Sequence, residues 1–106
     1  MTFPLFFYRA HVERVIDGDT VVLFVDLGFN VHLREKFRLA GINAPELRTA
    51  EGKDSKQALE NLILGKDIYV RVYKKGKYGR WIAELITEDG LNVNCWLLEN
   101  GYAVEY

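Results

Sequence analysis

Period-two alternation of apolar and polar residues recurs along this chain, and that period suits strands rather than helices. Tyr8, Ala10, Val12 and Ile16 against Arg9, His11 and Glu13 form the first run, which Arg14 interrupts. Asp17-Gly18 precedes a β-branched run from Thr20 to Val25, which predicts a hairpin whose glycine supplies positive φ. After a turn at Gly28 to Asn30, Val31, Leu33, Phe37 and Leu39 make one face of a third strand, interrupted by Glu35. His32, Arg34, Lys36 and Arg38 share the opposite face as a basic stripe. Ile68, Val70 and Val72 alternate with Tyr69, Arg71 and Tyr73 in a fourth strand, and Arg80 to Thr87 reads as a fifth.

Two segments carry helical spacing instead. Arg48 to Lys53 is polar, contains Gly52 and reads as a loop. Asp54 or Ser55 is then an N-cap for a helix to about Leu64, with Ala58, Leu59, Leu62 and Ile63 inward and Gly65 ending it. A second helix starts near Asn92, packs Val93, Trp96 and Leu97 inward, and stops before Gly101. Tyr102 to Tyr106 are too few to classify. Three strands, a helix, two strands and a helix are the order of a mainly β (α+β) fold, a five-stranded antiparallel oligonucleotide-binding (OB) barrel. One helix lies between strands three and four and one after strand five.

At 106 residues, 49% hydrophobic and 27% charged, the chain suits one globular domain spanning 1–106. A net charge of -1 argues against a sequence-blind DNA clamp, so any nucleic-acid contact must be local. The segment Met1 to Tyr8 lacks a basic n-region and a small-residue cleavage site, and no apolar run approaches membrane-spanning length. The expectation is a cytoplasmic monomer without membrane attachment. Cys95 is the one cysteine, which excludes an internal disulfide; it reads as packing within a helix. His11 and His32 have no second ligand at usable spacing, Trp81 and Trp96 read as core, and Tyr69 and Tyr73 as residues covering a helix.

Three clusters bear on chemistry. Asp17 and Asp19 bracket a tight turn, and hard cations prefer several anionic oxygens. Arg38, Asn43 and Glu46 share one short segment that ends in a stiff turn at Gly41 and Pro45. A carboxylate there can take a proton from water while an arginine donates paired hydrogen bonds to phosphate oxygens. Arg80, in Lys77-Tyr78-Gly79-Arg80, can approach a phosphate from the other side.

Taken together, Ile16-Asp17-Gly18-Asp19-Thr20, Phe37-Arg38-Leu39, Gly41-Ile42-Asn43-Ala44-Pro45-Glu46, Lys77-Tyr78-Gly79-Arg80 and the stretch from Asn94 to Gly101-Tyr102-Ala103 resemble the staphylococcal nuclease-like (thermonuclease) family. That resemblance implies a calcium-dependent endonuclease of low sequence specificity on single-stranded DNA or RNA, leaving 3′-phosphates. Asp19 and Asn43 would hold the metal through side chains and Ala44 through its carbonyl, with Asp17 close by. Glu46 would position or deprotonate the attacking water, Arg38 and Arg80 would bind the scissile phosphate, and Lys77 and Tyr78 a neighbouring one. The family usually has aspartate where this chain has Asn43, so calcium binding is expected to be weaker by roughly one or two powers of ten. Ala44, where threonine can occur, changes nothing that uses the carbonyl alone, and the third helix of longer relatives is missing. The alternative is a catalytically weak or silent domain that binds nucleic acid or a protein partner.

Overall fold

The structure, a computed structural model, describes residues 6–76 and 79–106. Its elements are β1 (Phe7–Asp17), β2 (Thr20–Asp26), β3 (His32–Leu39), β4 (Ile42–Asn43), α1 (Ala50–Ile63), β5 (Asp67–Lys75), β6 (Trp81–Thr87), α2 (Val93–Glu99) and β7 (Val104–Glu105). Five strands close into a barrel in the order β1-β2-β3-β6-β5, as the alternation predicts. Closure is not wholly antiparallel, however. β3 and β6 run parallel and meet at only three pairs: Phe37 with Trp81, Arg38 with Ile82 and Leu39 with Ala83.

The barrel is filled by side chains such as Val12, Val21, Leu23, Leu39, Val70 and Leu85, which are fully buried. Each such burial is worth roughly 1.5–3 kcal/mol. The interruption at Arg14 is a bulge. The register of β1 on β2 shifts between Val12 and Arg14 and again between Val15 and Asp17, so Val15 enters the core and Ile16 is only half-buried. A bulge adds one residue to one strand and exchanges the faces beyond it. β2 and β3 join through a tip in which Gly28, Phe29 and Asn30 all take positive φ. Near that tip Val31 and Leu33 are exposed, so the inward face of β3 is reduced to Phe37 and Leu39.

Helix α1 begins a full turn before Asp54. Its cap is Thr49, whose hydroxyl accepts from Gly52 N–H at 3.0 Å and donates to the Glu46 carbonyl at 2.7 Å. Gly52 marks a close approach and not a loop: a Cβ there would lie 1.9 Å from the Glu46 carbonyl oxygen. The buried stripe is accordingly Gly52, Ser55, Leu59 and Ile63, with Ala58 and Leu62 half-buried. Gly65 takes positive φ after the helix, as expected, and bonds the Val12 carbonyl at 2.9 Å.

Helix α2 is capped by Asn92, with Val93, Asn94 and Leu97 buried. Trp96 is half-buried and stacks on Tyr102 at 5.6 Å; Trp81 is also half-buried, and Cys95 is exposed, so none of the three is core. Tyr69 stacks on Phe7 at 5.7 Å and Tyr73 is exposed, its hydroxyl donating to Glu84; neither covers a helix. The chain end is a strand: β7 pairs with β4 outside the barrel. No helix among the described residues is long and apolar enough to cross a membrane.

Candidate functional site

The register of β2 on β3 sets Thr20 opposite Arg38, and the Leu39 N–H donates to the Asp19 carbonyl at 2.8 Å. The first hairpin turn and the end of β3 are thereby locked together. Gly18 does not take positive φ here. A Cβ on it would sit 2.7 Å from the Ser55 Cβ and 2.8 Å from the Ala44 Cβ, so glycine lets the hairpin press against α1 and the turn after β4.

From these elements a continuous polar chain assembles. Arg80 Nη1 donates to Thr20 Oγ1 at 3.3 Å, and Thr20 Oγ1 donates to Asp19 Oδ1 at 3.0 Å. The other Asp19 oxygen, Oδ2, accepts from the Ala44 N–H at 3.0 Å and lies 3.7 Å from Arg38 Nη2. Arg38 Nη2 in turn donates to Asn43 Oδ1 at 3.3 Å. The Arg38 guanidinium also lies over the Tyr106 ring, 4.7 Å from its centroid, because the Tyr106 N–H bonds the Gly41 carbonyl beside the β4–β7 pair. Asp19 and Thr20 are buried, and the Arg38 side chain is only 14% exposed.

Two acids so close cannot ionise independently. Burial, and next the hydrogen bond it shares with Asp19, push the Asp17 carboxyl up to about 6. Burial acts to raise Asp19 too, but hydrogen bonds from Asp17, the Ala44 N–H and Thr20, together with Arg38, hold it below the usual carboxylate range. The Asp17 shift has a sign that can be checked. Its folded value exceeds its unfolded one, so the unfolded chain releases this proton first, and stability from this group falls as pH rises from about 4 through 6. Urea denaturation in chelator is expected to show Asp17→Asn gaining on the wild type by roughly 1–2 kcal/mol across that window, after discounting for solvent access. Parallel stability curves would contradict the shared-proton pair.

The structure therefore brings Asp17, Asp19, Arg38, Asn43, Ala44 and Arg80 to one end of the barrel. Glu46 is not drawn into the polar chain: its exposed carboxylate pairs with Arg48 Nε at 2.6 Å. Lys77 and Tyr78 lie outside the described residues. Thr20 and Tyr106 are members to which the sequence assigned no role. Thr20 stands in the Ile16-Asp17-Gly18-Asp19-Thr20 motif without one, and Tyr106 depends on a pairing of two-residue strands that no local pattern announces. A groove of about 160 Å³ adjoins Asn43 and Ala44 and is closed by Gly101 to Val104. A larger apolar cleft of about 380 Å³, lined by Tyr8, Leu27, Leu33, Tyr73 and Trp81 among others, contains none of the site residues.

The family model described as staphylococcal nuclease homologue matches residues 36–106. An uncharacterized endonuclease of Escherichia coli O157:H7 is 32% identical over 98 residues, covering 92% of this chain and 61% of that protein. Endonuclease YhcR of Bacillus subtilis (strain 168) is 36% identical over 109 residues, covering 93% of this chain and 9% of that protein. The probable staphylococcal-like nuclease CAN1 of Oryza sativa subsp. japonica is 38% identical over 71 residues, covering 67% of this chain and 21% of that protein. The chain thus spans less than two thirds of the length of each of these relatives.

Proposed function

Since the chain belongs to the staphylococcal nuclease homologue family, we propose that it is a calcium-dependent endonuclease that hydrolyses single-stranded DNA and RNA with low sequence specificity and leaves 3′-phosphates. The unbroken polar chain from Arg80 through Thr20, Asp19 and Arg38 to Asn43 carries this reading. It sets two guanidinium groups on either side of one cluster of acidic oxygens, a disposition suited to a phosphoryl group and its growing charge.

Asp17, Asp19 and Asn43 side chains and the Ala44 carbonyl would hold the cation. The donors fit a hard divalent ion: all are oxygens, and two are carboxylates. When bound, calcium supplies positive charge against the phosphoryl oxygens. Among the described residues no three His, Cys, Asp or Glu side chains converge to hold a metal, which agrees with an amide at position 43 in place of a third acid. Binding is therefore weak, toward the millimolar range. Asn43→Asp is expected to tighten calcium binding about 10- to 100-fold by calorimetry and to raise activity at low calcium. An unchanged affinity would remove Asn43 from the ligand set.

Arg38 and Arg80 bind the scissile phosphate. Arg38 is fixed beforehand by Asp19, Asn43 and Tyr106, so little reorganisation accompanies charge development. Glu46 accepts a proton from the attacking water; its exposed pair with Arg48 is of a kind worth about 0–1 kcal/mol, so the carboxylate is released at small cost. The water oxygen bonds to phosphorus, the bond to the 5′ oxygen breaks, and that oxygen leaves, taking a proton from solvent water, while the phosphate stays on the 3′ side. Every residue invoked comes from one copy, so a monomer suffices.

Hydrolysis of a single-stranded oligonucleotide is expected with millimolar calcium, and to be lost in chelator and in Glu46→Gln. Equal rates in all three would overturn the reading. The engagement of Glu46 by Arg48 favours one rival, a silent domain of the same family. That rival requires oligonucleotide binding that is indifferent to calcium, with no cleavage.

A further inference from the structure

At the end of the barrel away from the polar chain, the β2–β3 hairpin outruns the core. β2 runs from Thr20 at the polar end to Asp26 near the tip, a distance of about 20 Å for an extended strand. Beyond it Leu27, Phe29, Val31 and Leu33 are all exposed, Phe29 wholly so. Phe29 also holds positive φ, 55°, a conformation that a bulky side chain rarely adopts. The tip is nonetheless firmly bonded. Leu27 N–H donates to the Val31 carbonyl at 2.8 Å, Val31 N–H to the Gly28 carbonyl at 2.9 Å, and Gly28 N–H to Asp26 Oδ1 at 2.8 Å. A closed turn thus holds a phenyl ring out in water where glycine or asparagine would suit the backbone better. Beside the tip lies the apolar cleft of about 380 Å³, walled by Leu27 and Leu33 from the hairpin and by Phe6, Tyr8, Tyr73 and Trp81 around the barrel mouth.

We infer that this end of the molecule is an interface with a second copy of the chain, a two-fold pairing in which Phe29 of each copy enters the cleft of the other. A two-fold contact needs a surface that complements itself, and a projecting ring beside an apolar hollow does so. A flat lipid surface would have no use for the hollow. The exposed side chains of Phe6, Leu27, Phe29, Val31, Leu33 and Tyr73 offer on the order of 600 Å² of apolar surface, the upper end of what a monomer carries as its largest patch. That area approaches the roughly 800 Å² per partner of a standard interface, and a polar rim supplies the rest. A net charge of -1 on each copy sets little long-range repulsion against association. The cleft holds none of the residues of the polar chain, so a pair formed here leaves both polar ends open. The assembly is then a weak dimer of complete units, not the monomer that the sequence suggests, and it stands whether or not the chain cleaves nucleic acid.

The test is sedimentation velocity of the full chain from about 1 to 500 µM. The wild type is expected to pass from one chain mass to two, with a midpoint in the micromolar range suited to an interface at the small end of the stable class. Phe29→Gly removes the ring and suits the left-handed backbone. It is expected to keep the thermal midpoint at or above that of the wild type while weakening dimerisation about tenfold or more. Leu33→Lys puts an ammonium on the cleft wall and is expected to weaken dimerisation as much. Both side chains are exposed, so the variants keep the fold. Mixed in equal amounts, the two variants are expected to form a heterodimer weaker than the wild-type pair, because the intact Phe29 of one meets the intact cleft of the other. A wild type that stays monomeric throughout, whether or not it sediments with lipid vesicles, overturns the proposal. So does a Phe29→Gly variant that pairs as the wild type does, or a mixture of the two variants that forms no heterodimer.

Discussion

Arg38→Lys is expected to lower kcat/KM on single-stranded DNA in calcium by about two to three orders of magnitude while leaving thermal stability nearly unchanged. The charge is conserved but the geometry is not. One guanidinium nitrogen of Arg38 reaches Asn43 Oδ1 at 3.3 Å and Asp19 Oδ2 at 3.7 Å, and the plane lies over Tyr106. That leaves the rest of the fork for two phosphoryl oxygens. An ammonium is a compact point charge that can neither present a planar pair of donors nor lie flat against the ring. If the contact strengthens as charge accumulates on the phosphoryl group, the loss falls mainly on kcat, with KM little changed. Wild-type rates in this variant would remove Arg38 from the reaction.

Asn94→Ala is expected to have the largest effect on stability, about 2–4 kcal/mol, read as a thermal midpoint lowered by roughly 10–25 °C. Asn94 is buried on α2, and its amide spans the end of the β3–β6 seam. Its Oδ1 accepts from the Leu85 N–H at 3.2 Å, while its Nδ2 donates to the Ala40 carbonyl at 2.9 Å and the Ala83 carbonyl at 3.2 Å. Deleting the amide strands one donor and weakens two acceptors at a largely buried position. Asn94→Asp, nearly identical in shape, is expected to be no better, because two backbone carbonyls would then face a carboxylate. A change below about 0.5 kcal/mol for the alanine variant would mean that the seam holds without this side chain.

How much of this was legible depended on the range of the interaction. The five barrel strands were readable because inward positions such as Leu23, Leu39, Val70 and Leu85 alternate with wet ones over several residues. Asp19, Arg38 and Asn43 were each noticeable beside a turn or strand end, but only the resemblance of the ordered motifs to the nuclease family grouped them as one site. Features made by distant segments were not. Nothing local says that Gly52 faces the Glu46 carbonyl, so a glycine that permits contact looked like one that ends structure. Val31 and Leu33 have the hydrophobicity of a core, yet they extend past the barrel they were expected to fill. The turn glycine Gly18 was recognised for the wrong reason. Its need is for space beside Ser55 and Ala44, not for a left-handed backbone.

The three-pair parallel seam also orders events in time. Asp19 and Thr20 lie at the first hairpin and Arg38 on the next strand, so they can meet by short-range pairing, whereas Arg80 joins them only when β6 is brought across from far along the chain. Contacts between remote segments carry the larger loop-closure cost and form late. During synthesis the acidic half of the centre is therefore expected to form first, and the second guanidinium to join it later, together with the Asn94 clasp. On the phosphodiesterase reading, a growing chain emerging beside messenger RNA stays harmless until the segment carrying Arg80 and β6 has docked.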